Sequence, residues 1–478
     1  MISSYNPKAP QKTAGQTKAN ALSRWADHVG DTARDFLRMF TLGDIWTKLS
    51  AVIFGLGNIV RGQIIKGLLM LASEAGFILF YARFGWRYLK DLGTLGTLEQ
   101  GRVFNEAKGI FERTKGQNSM LILLYSVLTL ATLIPLFMLW KTSVRSSYLA
   151  QKRAERGEAQ PTFIQDVRTL LDKRYHMTLM SMPLLTLTLF TALPIVFMIL
   201  IAFTNFDKMH QPPGKLFTWV GIKNITDIFQ GNPFYSRTFA GILIWTFIWA
   251  VFATFTNYIL GMVLALVINK KGIKFKKLWR TCFVVTVAIP QFVSLLLVSK
   301  MFAQTGIVNM LLQQWGWVKQ PIKFFEDPTL ARIMVIVINL WVGVPYTMLM
   351  TTGILLNIPA ELYESAEIDG ATPYRQFRSI TLPYMLFVTG PYLITTFVGN
   401  INNFNVIYLL TAGGPLSTEY FRAGKTDLLV TWLYKLTVDE QNYSLASTVG
   451  ILIFVIVGVL SLLAYNLTGS VRKEEQFS

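Results

Sequence analysis

Apolar residues fall into eight long blocks, roughly 64–83, 119–140, 177–203, 239–268, 281–302, 331–356, 385–411 and 446–468, separated by short polar stretches. Each block is long enough to cross a hydrocarbon layer about 30 Å thick as a helix. The pattern predicts an all-α, polytopic membrane protein with about eight transmembrane helices. The first 50 residues are polar and basic, without the short apolar core and small-residue cleavage site of a removable leader, so the N-terminus is expected to stay in the cytoplasm. Eight crossings put both termini on that side. The strongest support is the run Asn269–Arg280, with six positive charges and no acid. The weakest is 84–118, which is basic yet placed outside. The expected organisation is a cytoplasmic N-terminal region (1–50), two N-terminal transmembrane helices with their loops (51–176), a six-helix core (177–468) containing a loop at 357–384, and a cytoplasmic tail (469–478). The Gly-broken stretch 51–62 reads as an interfacial or re-entrant turn, and 158–174 as an amphipathic cytoplasmic helix.

Composition agrees: 52% of the 478 residues are hydrophobic and only 15% charged, against about 25% charged in soluble domains. The net charge of +18 would suggest nucleic acid in a soluble chain. Here the excess can hold loops against anionic membrane lipids, so no nucleic-acid partner is expected. Cys282 is the single cysteine and lies inside an apolar block, while His28, His176 and His210 share no ligand spacing. No disulfide, metal or other cofactor is therefore expected. The sequence has no G-x-S-x-G, H-E-x-x-H or Walker-type G-x-x-x-x-G-K-[ST], which argues against a membrane enzyme and against ATP hydrolysis by this chain alone.

The loop Pro359–Pro383 has its own local grammar. Pro359 suits a first helical position, Gly370 a left-handed stop, and Thr372-Pro373 an N-cap with first residue; Tyr374, Phe377 and Ile380 would share one face of a second helix that Pro383 ends. A rigid helical hairpin results, suited to docking, although an ordinary capped loop gives the same signals. In the seventh block, Asn400, Asn402, Asn403 and Asn405 crowd one apolar helix, with Asn400 and Asn403 on one face. Buried amides need partners. These could be solute hydroxyls, with Tyr346 and Phe404, and less so Tyr408, as stacking surfaces, or neighbouring helices. Gly390-Pro391 could kink that helix. Glu74, midway along the first block, should pair or neutralise.

Glu364-Ser365-Ala366, Asp369-Gly370-Ala371, Phe377, Ile380, Leu382 and Pro383 resemble the E-A-A-x-x-D-G-A-x-x-x-x-x-F-x-x-I-x-L-P signature of the membrane subunits of bacterial ABC importers, with Ser365 the departure from its usual Ala. The resemblance implies a type I importer permease fold in the bacterial cell membrane. It also implies that Glu364, Ser365, Ala366, Asp369, Gly370, Ala371, Phe377 and Pro383 belong to a coupling helix seated on an ATPase subunit dimer. A second permease subunit and an extracellular or periplasmic sugar-binding protein would complete the assembly. From about residue 177 onward the chain is most similar to the larger membrane subunit of maltose/maltodextrin importers, through Asn339–Tyr346, Gly399–Pro415 and Thr426–Leu436. That similarity implies substrate contacts at Gly343, Tyr346, Thr396, Gly399, Asn400 and Asn403. It departs at 204–238, a short loop where some members carry an extracytoplasmic domain, and at Gly399, where the family can have an aromatic ring. The implied solute is an oligosaccharide, maltodextrin-like, with a galactan-derived oligosaccharide or a non-sugar solute as alternatives. A secondary transporter or channel would have the same composition but no use for the docking signature.

Overall fold

The computed structural model describes residues 39–105, 108–113, 115–270 and 272–467; of the expected terminal regions, 1–38 and 468–478 lie outside the described residues. The chain divides into two compact units at Phe197/Met198.

In the first unit, short helices α1 (Ile45–Leu49) and α2 (Leu56–Val60) precede α3 (Ile64–Leu89). Gly55 joins them at φ +77, its Cα against the Gly67 backbone, where no side chain would fit. A two-stranded antiparallel hairpin, β1 (Arg102–Asn105) with β2 (Ile110–Arg113), makes the protein nearly rather than wholly all-α. The next helix, α4 (Ser119–Glu155), stays helical well past the end of its apolar block at 140. Its polar extension is held by the segment expected to be an interfacial turn. Ser143 Oγ donates to the Ser50 carbonyl (2.8 Å) and accepts from Gly55 N–H (2.9 Å), and Gln151 Oε1 accepts from Asp44 N–H (2.9 Å) and Thr47 Oγ1 (3.0 Å). The amphipathic segment forms α5 (Phe163–Leu171), started by a Thr162–Gln165 capping box. Then comes α6 (Tyr175–Ile201).

The second unit is built on α7 (Pro233–Asn269), an almost uniformly apolar helix started by the Asn232 side chain, which accepts from Phe234 and Tyr235 N–H. The fifth apolar block is not one straight span. It is α8 (Lys276–Ala288) and α9 (Gln291–Met301), bent by 89°. Pro290 lacks an N–H and forces Ile289 out of the helical region, to ψ 127. After α10 (Ile307–Gln314) the chain enters α11 (Pro328–Leu356), then α12 (Ala360–Ile368), α13 (Pro373–Ile401), α14 (Phe404–Thr411), α15 (Leu429–Val438) and α16 (Tyr443–Leu467). Among the described residues, seven helices are long and apolar enough to cross a membrane, or eight with the bent pair as one.

Two further expectations change. The seventh block divides after Ile401, because the Asn403 side chain accepts from Val406 N–H (3.2 Å) and starts α14 as its N-cap, so the four asparagines do not share one helix. Pro383 does not end the hairpin's second helix. A wider turn at Phe377–Thr381 joins that helix to the rest of α13, and Pro383 enters at the start of the regular stretch, where its fixed φ suits the helix.

Buried aromatic and aliphatic side chains fill the spaces between these helices, with Trp249, Val335 and Ile407 in one cluster and Ile242, Trp432 and Val449 in another. α7 and α11 approach through glycines: a Cβ on Gly261 would collide with Thr347, and one on Gly343 with the Asn257 amide. Both indoles on the α7 core face are anchored, Trp245 Nε1 donating to the Thr426 carbonyl and Trp249 Nε1 to the Asn400 carbonyl, each at 3.1 Å.

Candidate functional site

Within the second unit, α7, α8, α9, α11 and α13 enclose a cavity of about 490 Å³. The bend at Pro290 opens it, since Ala288, Ile289, Pro290 and Gln291 turn across its wall where a straight helix would have continued. Gly343, Tyr346, Thr396, Asn400 and Asn403 all line it. Gly399 does not. It is exposed with nothing near its Cβ direction, so an aromatic ring there would not alter this wall. Phe404 is also absent from the lining: its ring stacks on Tyr408, centroids 4.7 Å apart, and packs against Tyr434. The aromatic surfaces facing the cavity are Tyr346, Trp341 and Tyr392.

The two asparagines named from sequence are partly engaged with each other and with the scaffold. Asn400 Nδ2 donates to Thr254 Oγ1 (3.0 Å), and Asn403 Nδ2 donates to Asn400 Oδ1 (3.3 Å). Each primary amide carries two donor hydrogens, so one on each nitrogen stays open. Although the helix breaks between them, the pair still reaches the cavity, because the break turns Asn403 back toward Asn400.

Two further amides escaped the sequence reading. Asn257 and Asn339 line the cavity, and among the described residues Asn257 Oδ1 and Asn339 Nδ2 are buried with no hydrogen-bond partner. A buried acceptor or donor without a partner destabilises a fold by about 1–3 kcal/mol. Both residues belong to the cavity wall, although the two unpaired atoms themselves are covered by neighbouring protein. The signal that could have found them is the one used for Asn400: a lone amide in an apolar block. Gly343 serves this arrangement directly, since only a glycine leaves space for the Asn257 amide on the facing helix. None of the lining residues is charged.

The hairpin between α11 and α13 has a separate character. Pro359 is the N-cap, one residue before the helix. The α12 C-terminus closes with Gly370 N–H on Glu367 O (3.1 Å) and Ala371 N–H on Ala366 O (2.8 Å), with Gly370 at φ +73. Thr372 Oγ1 caps Arg375 N–H as expected (3.4 Å), and Tyr363 OH pairs with Thr381 Oγ1 (2.8 Å) to tie the two helices. Glu364, Ser365, Asp369 and Gly370 are exposed, Ala366 and Ala371 half-buried. Ile368 is 88% and Tyr374 71% exposed, which is an outward apolar surface. Phe377 is not part of it. The wider turn rotates it inward, where it packs against the cluster of Tyr258, Met262 and Met385 and anchors the hairpin.

Residues 257–473 match the family described as binding-protein-dependent transport system inner membrane component. The chain is 35% identical over 436 residues to the maltodextrin transport system permease protein MdxF of Bacillus subtilis, covering 89% of this chain and 96% of that protein. To the galactooligosaccharides transport system permease protein GanP of the same organism it is 32% identical over 427 residues, covering 89% and 98%. The maltose/maltodextrin permease protein MalF of Escherichia coli is 37% identical over 270 residues, covering 55% of this chain and 52% of that protein. In fold it is similar to a chain of a bacterial alginate ABC transporter solved with an alginate-bound periplasmic protein, at TM-score 0.52 and 22% identity over 64% of this chain and 98% of that one.

Proposed function

Since this chain belongs to the family of membrane subunits of binding-protein-dependent ABC importers, we propose that its cavity passes a neutral oligosaccharide and that its α11–α13 hairpin couples passage to ATP hydrolysis elsewhere. The chain is a transport component of a multi-pass membrane assembly and not itself a catalyst. The observation that carries the substrate reading is the lining: the amides of Asn257, Asn339, Asn400 and Asn403, hydroxyls and aromatic rings among aliphatic side chains, and no charge. Sugar hydroxyls both donate and accept, and pyranose faces stack on aromatic rings. An acidic solute would find no cation here. The volume lies within the range of about 300–1,000 Å³ usual for small-molecule sites. A maltodextrin is the first reading. A galactooligosaccharide is the second, favoured by the near-complete match to GanP.

In this reading Tyr346, Thr396, Asn400 and Asn403 contact the sugar, joined by Asn257 and Asn339, while Gly343 makes space. The exposed turn around Glu364, Ser365, Asp369 and Gly370, with Ala366 and Ala371 behind it, seats in an ATPase subunit. An ATPase dimer needs two such turns, so a second membrane subunit supplies the other and a sugar-binding protein delivers the solute. The hairpin and the basic run at 269–280 lie on the cytoplasmic side, as do both termini.

Uptake in proteoliposomes containing the whole assembly, with maltodextrins, β-galactans and uronate oligomers of matched length, tests the substrate. Neutral oligomers should be taken up and stimulate ATP turnover; preference for the uronates would overturn the reading. For the hairpin, Gly370→Val has open space but forces a β-branched residue to φ +73, a conformation that costs such residues about 1–3 kcal/mol. Insertion should persist while stimulated ATP turnover is lost. Normal turnover in this variant would remove the turn from coupling.

A further inference from the structure

Two features of the first unit play no part in the transport reading. One is an open groove of about 830 Å³ between α3 and α4, lined by aliphatic and aromatic side chains and one charged residue, Glu74, whose Oε2 accepts from Phe54 N–H at 2.8 Å. The other is the short helix α5 (Phe163–Leu171). At 3.6 residues per turn its apolar side chains, Phe163, Ile164, Val167, Leu170 and Leu171, form one stripe about 120° wide. All five are exposed, Ile164 at 71% and Leu171 at 59%. A continuous apolar stripe of this kind is an interaction surface, because water alone rarely faces one.

The position of α5 identifies what covers the stripe, since both of its ends are tied to the first turns of membrane-length helices. On the N-terminal side the Lys66 ammonium donates to Asp166 Oδ2 (2.8 Å) and Gln63 Nε2 to the Pro161 carbonyl (3.4 Å); Lys66 is the third residue of α3. On the C-terminal side Thr178 Oγ1 donates to the Leu170 carbonyl (2.8 Å), and Thr178 is the fourth residue of α6. The apolar runs of those two helices begin at 64 and 177, so each tie sits where a span enters the membrane. A helix held at two such entry points lies along the membrane plane, at the level of the headgroups. Its charges suit that layer. Asp166, at one edge of the stripe, is neutralised by Lys66. Arg168 is at the other edge, and Lys173 and Arg174 follow directly, before α6 begins. All three are exposed, and among the described residues none has a carboxylate partner; the one remaining acid of the stretch is Asp172.

We propose that α5 is docked in the headgroup layer of the membrane, its apolar stripe among the upper acyl carbons and Arg168, Lys173 and Arg174 on the phosphates of anionic phospholipids. Phospholipid supplies both halves of the match, hydrocarbon for the stripe and phosphate oxygens for the unpaired cations, at the depth where the two span entries hold the helix. The proposal requires that α3 and α6 cross a membrane and is independent of the solute that the cavity passes.

Spin-label depth in the full assembly, reconstituted in nanodiscs with Cys282→Ser as background, tests this. A nitroxide is placed at Ile164→Cys, in the stripe, or at Thr169→Cys, on the opposite face, and its collisions with membrane-soluble oxygen and with a water-soluble nickel chelate are measured. The Ile164 label should lie ~5–10 Å below the headgroup boundary, and the Thr169 label in water. In phosphatidylglycerol discs the Ile164 label should be deeper than in phosphatidylcholine discs, and Arg168→Gln with Lys173→Gln should remove that difference. Nickel contact at Ile164 equal to that at Thr169 would overturn the proposal by leaving the stripe in water. A label at Ile164 shielded from both reagents would overturn it by placing polypeptide there. The same depth in both lipids would overturn the assignment of the three cations to anionic phosphates.

Discussion

The cavity in residues 198–467 is walled by amides, hydroxyls and rings without a charge, whereas the groove in residues 39–197 is walled by hydrocarbon around a single carboxylate. Both are formed by helices that pass the same hydropathy test, so hydropathy does not distinguish them. The difference lies in which polar groups line each wall. Amides and hydroxyls spread around an uncharged wall suit a solute that is polar all over.

The comparison can be tested most severely at Gly343. Gly343→Val drives two methyl groups into the Asn257 amide, so it should both abolish oligosaccharide uptake and lower stability by about 1–3 kcal/mol, read as uptake and thermal midpoint. Unchanged values for both would mean that α7 and α11 do not meet as described. Asn339→Leu should separate the two quantities. Uptake should fall by about tenfold, while stability should hold or rise by about 1 kcal/mol because a buried unpaired donor is removed. A destabilised variant with normal uptake would instead make Asn339 a structural residue and weaken the contrast between the two voids.

Smaller effects are expected from residues already bonded to the scaffold. Asn400→Ala breaks the bond to Thr254 and frees Asn403, so uptake should drop several-fold with a modest loss of stability of about 0.5–1.5 kcal/mol. Tyr346→Ala should reduce uptake with little change in thermal midpoint, because its ring is exposed to the cavity. If Asn400→Ala only lowers the midpoint, with sugar preference intact, its amide serves helix packing alone. The smallest effect is expected at Glu74: Glu74→Gln should leave the order of sugar preference unchanged in the uptake assay. A changed preference would join the groove to the translocation path and dissolve the distinction.

How much of this was legible beforehand differs by feature. The hairpin turn was readable almost atom by atom, because Gly370 at positive φ, Thr372 as a cap and Pro373 as a first residue are local requirements of the backbone, satisfied within a few residues. The number and approximate limits of the apolar helices were readable for the same reason, since spanning length depends on composition over one segment. Pro290 announced a break that the apolar run around it concealed.

Other features depended on neighbours far along the chain. That Phe377 turns inward depends on a pocket made by Tyr258, Met262 and Met385. That Phe404 stacks on Tyr408 and Tyr434 instead of facing the solute path depends on where α15 packs. Asn257 and Asn339 line one cavity because α7 and α11 pack closely, with Gly343 leaving space for the Asn257 amide. The sequence by itself determined the membrane class, the helical segments and the conformation of the hairpin turn, all of which follow from backbone preferences and local hydrophobicity. Only the tertiary structure decided which of those side chains share a cavity, because burial and hydrogen-bond pairing are properties of contacts between helices and not of any one of them.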